Sequence, residues 1–235
     1  MGLADLHMHT IYSFDGTATV PATLRRAHEK GLSVIAITDH DEIAGALNAV
    51  SLAHLYGIEV IPGIEITTAD GHLLGLFVTE IIPAGLSLVD TVLKVRELGG
   101  ICIAPHPGAG GMGMKSLSVS TIAKALHHPE VADTLIGIEA YNATALDKVG
   151  IATSRLLTAH LNLASVGNSD AHVPAAIGLG ATEFEGTSAT DLLSALRNRQ
   201  TSVYRQKEWN TARILGSWAI NYVRSLFTRA AMVTE

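Results

Sequence analysis

Asp5-Leu6-His7-Met8-His9-Thr10 stands at what reads as the end of a first strand. Side chains two apart on a strand point the same way, so this reading puts Asp5, His7 and His9 in one polar file. Two neighbouring imidazoles suit a metal ion: neutral imidazole is a common transition-metal ligand, and a nearby carboxylate can hold the ring in the ligating tautomer. Asp5 is the carboxylate expected to do so. His-x-His also occurs on exposed strands where each ring bonds only to water or backbone, so the rest of the chain has to decide.

Outward from that stretch, short apolar runs ending in polar residues alternate with helical patterns, the signature of β-α units around parallel strands. A helix is expected from Pro21 to Lys30, with proline near its start and Gly31 as its stop. Ser33-Val34-Ile35-Ala36-Ile37 reads as a buried strand that delivers Thr38-Asp39-His40-Asp41 at its C-terminal end. Further strands are expected over 59–66, carrying Glu65; 72–78, which begins with His72; 101–104, running into His106; 135–140; 163–166, followed by Asp170 and His172; and 181–184. Helices are expected over 41–56, 86–98, 120–127, 146–160 and 189–199. The stretch 108–114 is nearly all Gly, Ala and Met and reads as a loop over the site, ending beside Lys115. Ends of strands are where α/β barrels keep their chemistry.

With 235 residues, 48% apolar and 16% charged, the chain fits one large domain with a sizeable core. It contains no uninterrupted apolar run of the roughly 18 residues that a spanning helix needs. Met1 to Leu6 lack the pattern of a signal peptide, and the single cysteine, Cys102, has no partner in the chain, so a soluble, cytoplasmic protein is expected. The net charge of −6 divides into −9 before residue 205 and +3 from 205 to 235. An acidic body argues against long nucleic acid as partner. It leaves small phosphorylated substrates open, because bound divalent cations invert the local field. Ser13, Ser154 and Ser169 lie in no Gly-x-Ser-x-Gly elbow, which argues against a serine hydrolase.

Collecting polar residues at strand ends gives His7, His9, His40, Glu65, His106, Asp170 and His172, joined by Asp15 and His72. Burying so many titratable groups together costs several kcal/mol for each unpaired charge unless cations neutralise them. Thr38-Asp39-His40-Asp41, Gly63-Ile64-Glu65, His72-Leu73-Leu74-Gly75, Ala104-Pro105-His106-Pro107 and Asn168-Ser169-Asp170-Ala171-His172 follow the opening motif in order. Together they resemble the PHP (polymerase and histidinol phosphatase) family of metal-dependent phosphoesterases over residues 3–204.

The resemblance implies an α/β fold, a distorted TIM-like (β/α)7 barrel, with two or three divalent metal ions at its C-terminal mouth. Carried over, His7, His9, Glu65 and Asp170 hold the first ion; Glu65 bridges to a second, held also by His72 and His106; Asp15, His40 and His172 hold the third. A shell of imidazole and carboxylate suits Mn, Fe or Zn and does not choose among them. A metal-bridging hydroxide would attack phosphorus. His172, His40 and Asp39 are the candidate catalytic residues, with either histidine able to protonate the leaving alkoxide. Lys115 and Arg155 are the candidate phosphate contacts. The function expected is hydrolysis of a small phosphate monoester, a nucleotide or a phosphorylated metabolite. Its rivals are phosphodiester cleavage of short oligonucleotides and a non-catalytic metal-binding domain.

Residues 205–235 read as an extension of the 1–204 domain. Leu215, Trp218, Ala219, Tyr222 and Leu226 recur at helical spacing opposite Arg213, Asn221 and Arg224, the pattern of an amphipathic helix. Packing on its own barrel, or pairing copies into a homo-oligomer, is preferred over contact with an acidic membrane surface.

Overall fold

The parallel strands β1 (Gly2–Asp5), β2 (Val34–Ile37) and β3 (Glu59–Thr67) open one sheet in the computed structural model, which describes residues 1–109, 115–144, 152, 155–156, 159–205 and 209–232. Only residues 68–71 separate β3 from β4 (His72–Leu76). A parallel crossover needs a dozen or more residues, so β4 returns antiparallel on β3, pairing Thr67 with His72. Next come β5 (Ile101–Ala104), antiparallel to β4, then β6 (Leu135–Asn142) and β7 (Ala164–Asn168), both parallel. On the other side β8 (Gly180–Phe184) runs antiparallel to β1, and β9 (Ser202–Arg205) antiparallel to β8. The order is β7-β6-β5-β4-β3-β2-β1-β8-β9.

The fold is an α/β barrel, but the expectation of parallel strands throughout is corrected, since the β3–β4, β4–β5, β1–β8 and β8–β9 pairs are antiparallel. The reversal matters for the site. It brings His72, the first residue of β4, to the barrel end where β2 and β3 finish.

The sheet curls until β7 faces β8, and side chains close what the backbone ladder does not. The Thr182 hydroxyl bonds both Gly167 N and Gly167 O, Leu6 N donates to Asn168 Oδ1, and Met8 forms a bridge with Ala171. The two faces approach this closely only because glycine stands on each. A Cβ at Gly167 would meet Ala181 O at 2.6 Å, and one at Gly180 would overlap Asn168 O.

Helices α1 (Val20–Glu29), α2 (Ala44–Leu52), α3 (Leu88–Glu97), α4 (Val119–Ala125) and α5 (Pro129–Thr134) cover the outside. Thr19, Ser87 and Ser118 cap three of them by accepting from the backbone N of Ala22, Asp90 and Thr121. Ile35, Ile37, Ile64, Ile66 and Leu73 pack outward against these helices. Strand alternation turns Val34, Ala36, Ile61, Leu74 and Leu76 inward, where they meet Ala4, Ile103, Val166 and Phe184 in a dry barrel core. Helix α6 (Ala189–Asn198) joins that core through Leu192, Ala195 and Leu196 and forms its floor.

The C-terminal helix α7 (Thr211–Met232) packs on the opposite end, over the barrel mouth. Trp218 Nε1 donates to Asp15 O, and the Arg229 guanidinium donates to Gly16 O. Its outward face, with Ile220, Val223 and Phe227, remains exposed. No helix among the described residues is long and apolar enough to cross a membrane. The loop expected over 108–114 and the helix expected over 146–160 fall mostly outside the described residues. Helix α5 and strand β9 had no counterpart in the sequence reading.

Candidate metal centre

The inward-facing files of the strands are apolar below and become polar as they reach the mouth. Ile61, Gly63 and Glu65 share a file on β3, Leu76, Leu74 and His72 share one on β4, and Ala164, Val166 and Asn168 lead to Asp170 beyond β7. On β1 the regular strand ends at Asp5, and strict alternation breaks just beyond it, between Leu6 and His7. Leu6 joins the barrel core, Met8 packs in the outer layer, and His7 and His9 turn into the mouth.

Asp5 therefore does not join the file of the two histidines. Its carboxylate accepts from Ser169 N at 3.0 Å and Gly178 N at 3.0 Å, which ties the β1 end to the loop after β7. Burial pushes its pKa up to about 6, outweighing those bonds. The carboxylate that orients His7 is Glu139, whose Oε1 lies 2.8 Å from His7 Nδ1. Glu139 is fully buried on β6 and also accepts from Asn168 Nδ2 at 2.8 Å, His106 N at 2.7 Å and Asn142 Nδ2 at 3.1 Å. The sequence reading assigned it no role. Its signal was a lone acidic residue in the otherwise apolar stretch Leu135–Ala140.

Glu65 is the hub. Its Oε1 lies 2.9 Å from His72 Nδ1 and 3.2 Å from His106 Nε2, and its Oε2 lies 3.1, 3.2 and 3.4 Å from His7 Nε2, His9 Nε2 and His40 Nδ1. Asp170 Oδ1 approaches His7 Nε2 at 3.4 Å and His9 Nε2 at 3.3 Å. Asp15 Oδ2 approaches His172 Nε2 at 3.1 Å and His40 Nε2 at 3.5 Å. The loops that carry this last pair are joined, because both N and Oγ1 of Thr17 donate to His172 O.

Four sets of donor atoms lie within 4.8 Å of one another: His7, His9 and Asp170; His7, Glu65 and His106; His40, Glu65 and His72; and His9, Asp15, His40 and His172. All nine residues expected as ligands thus meet at one end of the barrel. The grouping differs in detail from the expected one, for His9 also faces the Asp15 set and His40 also faces Glu65. Backbone geometry here is unusual. His106 (φ 29°) and Asp170 (φ 51°) occupy left-handed conformations that non-glycine residues adopt mainly where the surroundings compel them.

The electrostatics follow from burial of opposite charges. Burial lowers the pKa of His7, but Asp170, Glu65 and Glu139 outweigh it and hold the ring well above the usual imidazole range. His9 is likewise raised to about 10 against its burial, by Asp170 and Glu65. Burial raises Glu65 and Asp170, yet the surrounding imidazoles hold both well below the usual carboxylate range. The mouth is thus a nest of ionised carboxylates that demands positive charge. His9 shows that protons meet the demand incompletely: its buried Nδ1 has no hydrogen-bond partner, and Nε2 meets Glu65 and Asp170 at 3.2 and 3.3 Å without the geometry of a hydrogen bond. An unpaired buried polar atom is costly, and a divalent cation satisfies imidazole and carboxylate donors together. The residues fit such ions.

Two expected site residues stand apart from the cavity. Asp39 is buried, with Oδ1 accepting from Thr10 N and Oδ2 from Thr10 Oγ1, so it braces the Thr10 turn and lines no part of the mouth cavity. Arg155 is exposed and likewise is not among the described residues lining that cavity. Lys115 does line it, and its carbonyl accepts from His72 N at 2.7 Å. The cavity measures about 480 Å³ and is roofed by Trp209, Ile214, Leu215 and Trp218. The amphipathic pattern of the tail was legible, its place over the mouth was not.

The family described as PHP domain matches residues 5–198. An uncharacterized protein of Methanocaldococcus jannaschii is 39% identical over 156 residues, 62% of this chain and 85% of its own length. The phosphoribosyl 1,2-cyclic phosphate 1,2-diphosphodiesterase of Eggerthella lenta is 34% identical over 105 residues, 42% of this chain but only 40% of that protein. Among solved structures, a two-domain protein from Bacteroides vulgatus containing a predicted PHP-like metal-dependent phosphoesterase superposes with a TM-score of 0.70 at 22% identity. That match covers 86% of this chain and 64% of the other.

Proposed function

The chain belongs to the PHP domain family and is a metal-dependent phosphoesterase, and from that premise we propose that it hydrolyses a small phosphate monoester, a nucleotide or a phosphorylated metabolite. The observation that carries this reading is the enclosure of the ligand cluster. The cavity of about 480 Å³ lies within the roughly 300–1,000 Å³ typical of small-molecule sites. A nucleic-acid strand calls instead for a long basic groove, and among the described lining residues Lys115 is the one Lys or Arg.

In this reading His7, His9, Glu65 and Asp170, with His72, His106, Asp15, His40 and His172, hold two or three divalent ions, Mn, Fe or Zn. When bound, such ions supply Lewis acidity toward phosphate oxygens and toward water. The protein's own groups do the rest. Lys115 Nζ meets a phosphate oxygen. Where two ions are held and the Asp15 set carries none, His172 Nε2, at the rim of the cluster and more exposed than His7 or His9, is free to give a proton to the leaving alkoxide, with His40 as the alternative donor. Glu139 holds the His7 ring from behind, and α7 keeps bulk water from the cavity.

A second reading, cleavage of a phosphodiester, is favoured by the activity for which the Eggerthella lenta relative is named. Inorganic phosphate release from sugar phosphates, nucleotides, histidinol phosphate and short oligonucleotides, with manganese present or after chelation, separates the two. Chelator-sensitive release from a monoester is the expected result. Cleavage of diesters alone, or no release by protein shown to contain metal, would overturn the monoester reading.

A further inference from the structure

We propose that the roof of the mouth is a binding subsite for a flat aromatic ring carried by the phosphorylated substrate, built mainly by residues 209–218. These residues lie beyond the stretch 5–198 that the family matches, so the subsite is a feature of this chain's own tail. The inference rests on the phosphoester reading for the phosphate half of the ligand.

The cavity has two unlike walls. One is the cluster around Glu65, with Lys115 beside it; the other is apolar, made by Trp209, Ile214, Leu215 and Trp218 with Phe14 and Val173 at its edges. The indole N–H of Trp218 in the apolar wall is already occupied: it donates to Asp15 O at 2.9 Å, and the ring stacks on Tyr222 with centroids 4.7 Å apart. Arg213 covers one face of the Trp209 ring at 4.2 Å. What remains toward the cavity is ring and hydrocarbon surface held in fixed orientation. At the lip, Phe14 is 69% exposed although it stacks on His40 at 5.2 Å, a large aromatic ring left in water beside the ligand cluster. Such surface gains little from a sugar, whose hydroxyls would lose water without finding partners. It gains from an aromatic ring, which stacks on or meets the edges of other rings and buries a large apolar area. A ligand with an anionic head and a flat apolar body matches both walls at once.

The ring can come from a nucleobase or from an aryl alcohol, and the test tells them apart. Binding of phenylphosphonate, a non-hydrolysable nucleoside 5′-phosphonate and methylphosphonate to the manganese-loaded full chain is measured by calorimetry, a readout that needs no turnover. At least one ring-bearing phosphonate is expected to bind about tenfold or more tightly than methylphosphonate, and the better of the two identifies the source of the ring. That preference should vanish in Trp218→Ala and in Leu215→Ala and persist in Trp218→Phe, which keeps a ring but loses the bond to Asp15. Equal affinity for all three phosphonates, or a preference unchanged in both alanine variants, overturns the subsite. Failure of the monoester reading has a different signature: no phosphate release from any monoester while the ring preference stands.

Discussion

On β3 the inward file runs Ile61, Gly63, Glu65, and on β4 it runs Leu76, Leu74, His72. The lower members of each file belong to a dry core shared with Phe184 and closed by Leu192 and Leu196, while the upper members belong to a cluster of nine titratable residues. Floor and mouth therefore share strands, twist and register, and differ in what satisfies their side chains. At the floor every group is satisfied by packing. At the mouth, carboxylates and imidazoles satisfy one another only partly, as the two ring nitrogens of His9 show, neither of which makes a hydrogen bond. The barrel is complete in itself at one end and built to receive something at the other.

The largest expected effect tests the mouth. His7→Ala removes a side chain that faces Glu65, Asp170 and Glu139. Metal-supplied stabilisation of a phosphoryl transition state is worth several kcal/mol, so phosphate release should fall by at least about a thousandfold, with the far-ultraviolet circular dichroism of the fold retained. Activity that survived would break the contrast between the two ends.

Phe184→Ala is the matching change at the floor. The ring is fully buried among apolar side chains, and emptying such a site costs about 3–5 kcal/mol. Denaturant unfolding should show that loss, while turnover per folded molecule stays within about twofold of the parent, since the ring belongs to the apolar core and not to the ligand cluster. A large fall in turnover would mean that the two ends are mechanically coupled.

Glu139→Gln probes the boundary between them. Four donors converge on that carboxylate, and an amide turns one acceptor into a donor that faces donors. Partners standing behind metal ligands are typically worth about 10–100-fold in metal affinity or activity. Competition against a chelator should show a weakening of that size, with the number of ions bound at saturation unchanged.

The same contrast explains how much could be read from the sequence. Residues at the mouth announce themselves because His7, His9, His40, Glu65 and Asp170 are polar residues at the ends of apolar runs, where packing alone would not place them. The antiparallel turn of β4 could have been read from the four residues between Thr67 and His72, a matter of chain length. Asp5 was misplaced because period-two alternation was carried past the end of the hydrogen-bonded strand, across the break between Leu6 and His7. Asp39 misled for a related reason: next to a ligand in sequence, it turns the other way in space and spends both oxygens on Thr10. Glu139 and the α7 roof were harder. The partners of Glu139 come from the ends of β1, β5 and β7, and the seat of α7 is set by Asp15 and Gly16, some two hundred residues earlier. Neither relation leaves a local pattern.

The smallest expected effect returns to the floor. Ser188 caps α6 by accepting from Asp191 N, and Asp191 accepts from Ser188 N and Thr187 N, a reciprocal box at the start of the helix that closes the barrel. Ser188→Ala should cost about 1 kcal/mol in equilibrium unfolding near neutral pH and leave phosphate release unchanged. The box also has a pH signature. The Ser188 side chain, with the backbone bonds from Ser188 and Thr187, holds the Asp191 carboxyl below the usual carboxylate range. A carboxyl lowered in the folded state stabilises fully above its unfolded pKa of about 3.9 and loses that stabilisation as pH falls through the lower folded value. The gap between parent and variant should therefore be full above about pH 4 and narrow as pH falls below it, through the lower folded value. Convergence with unchanged turnover would show the floor acting as scaffold alone; a variant that unfolded no more easily at neutral pH would show that α6 is held by Leu192 and Leu196 without help from its cap.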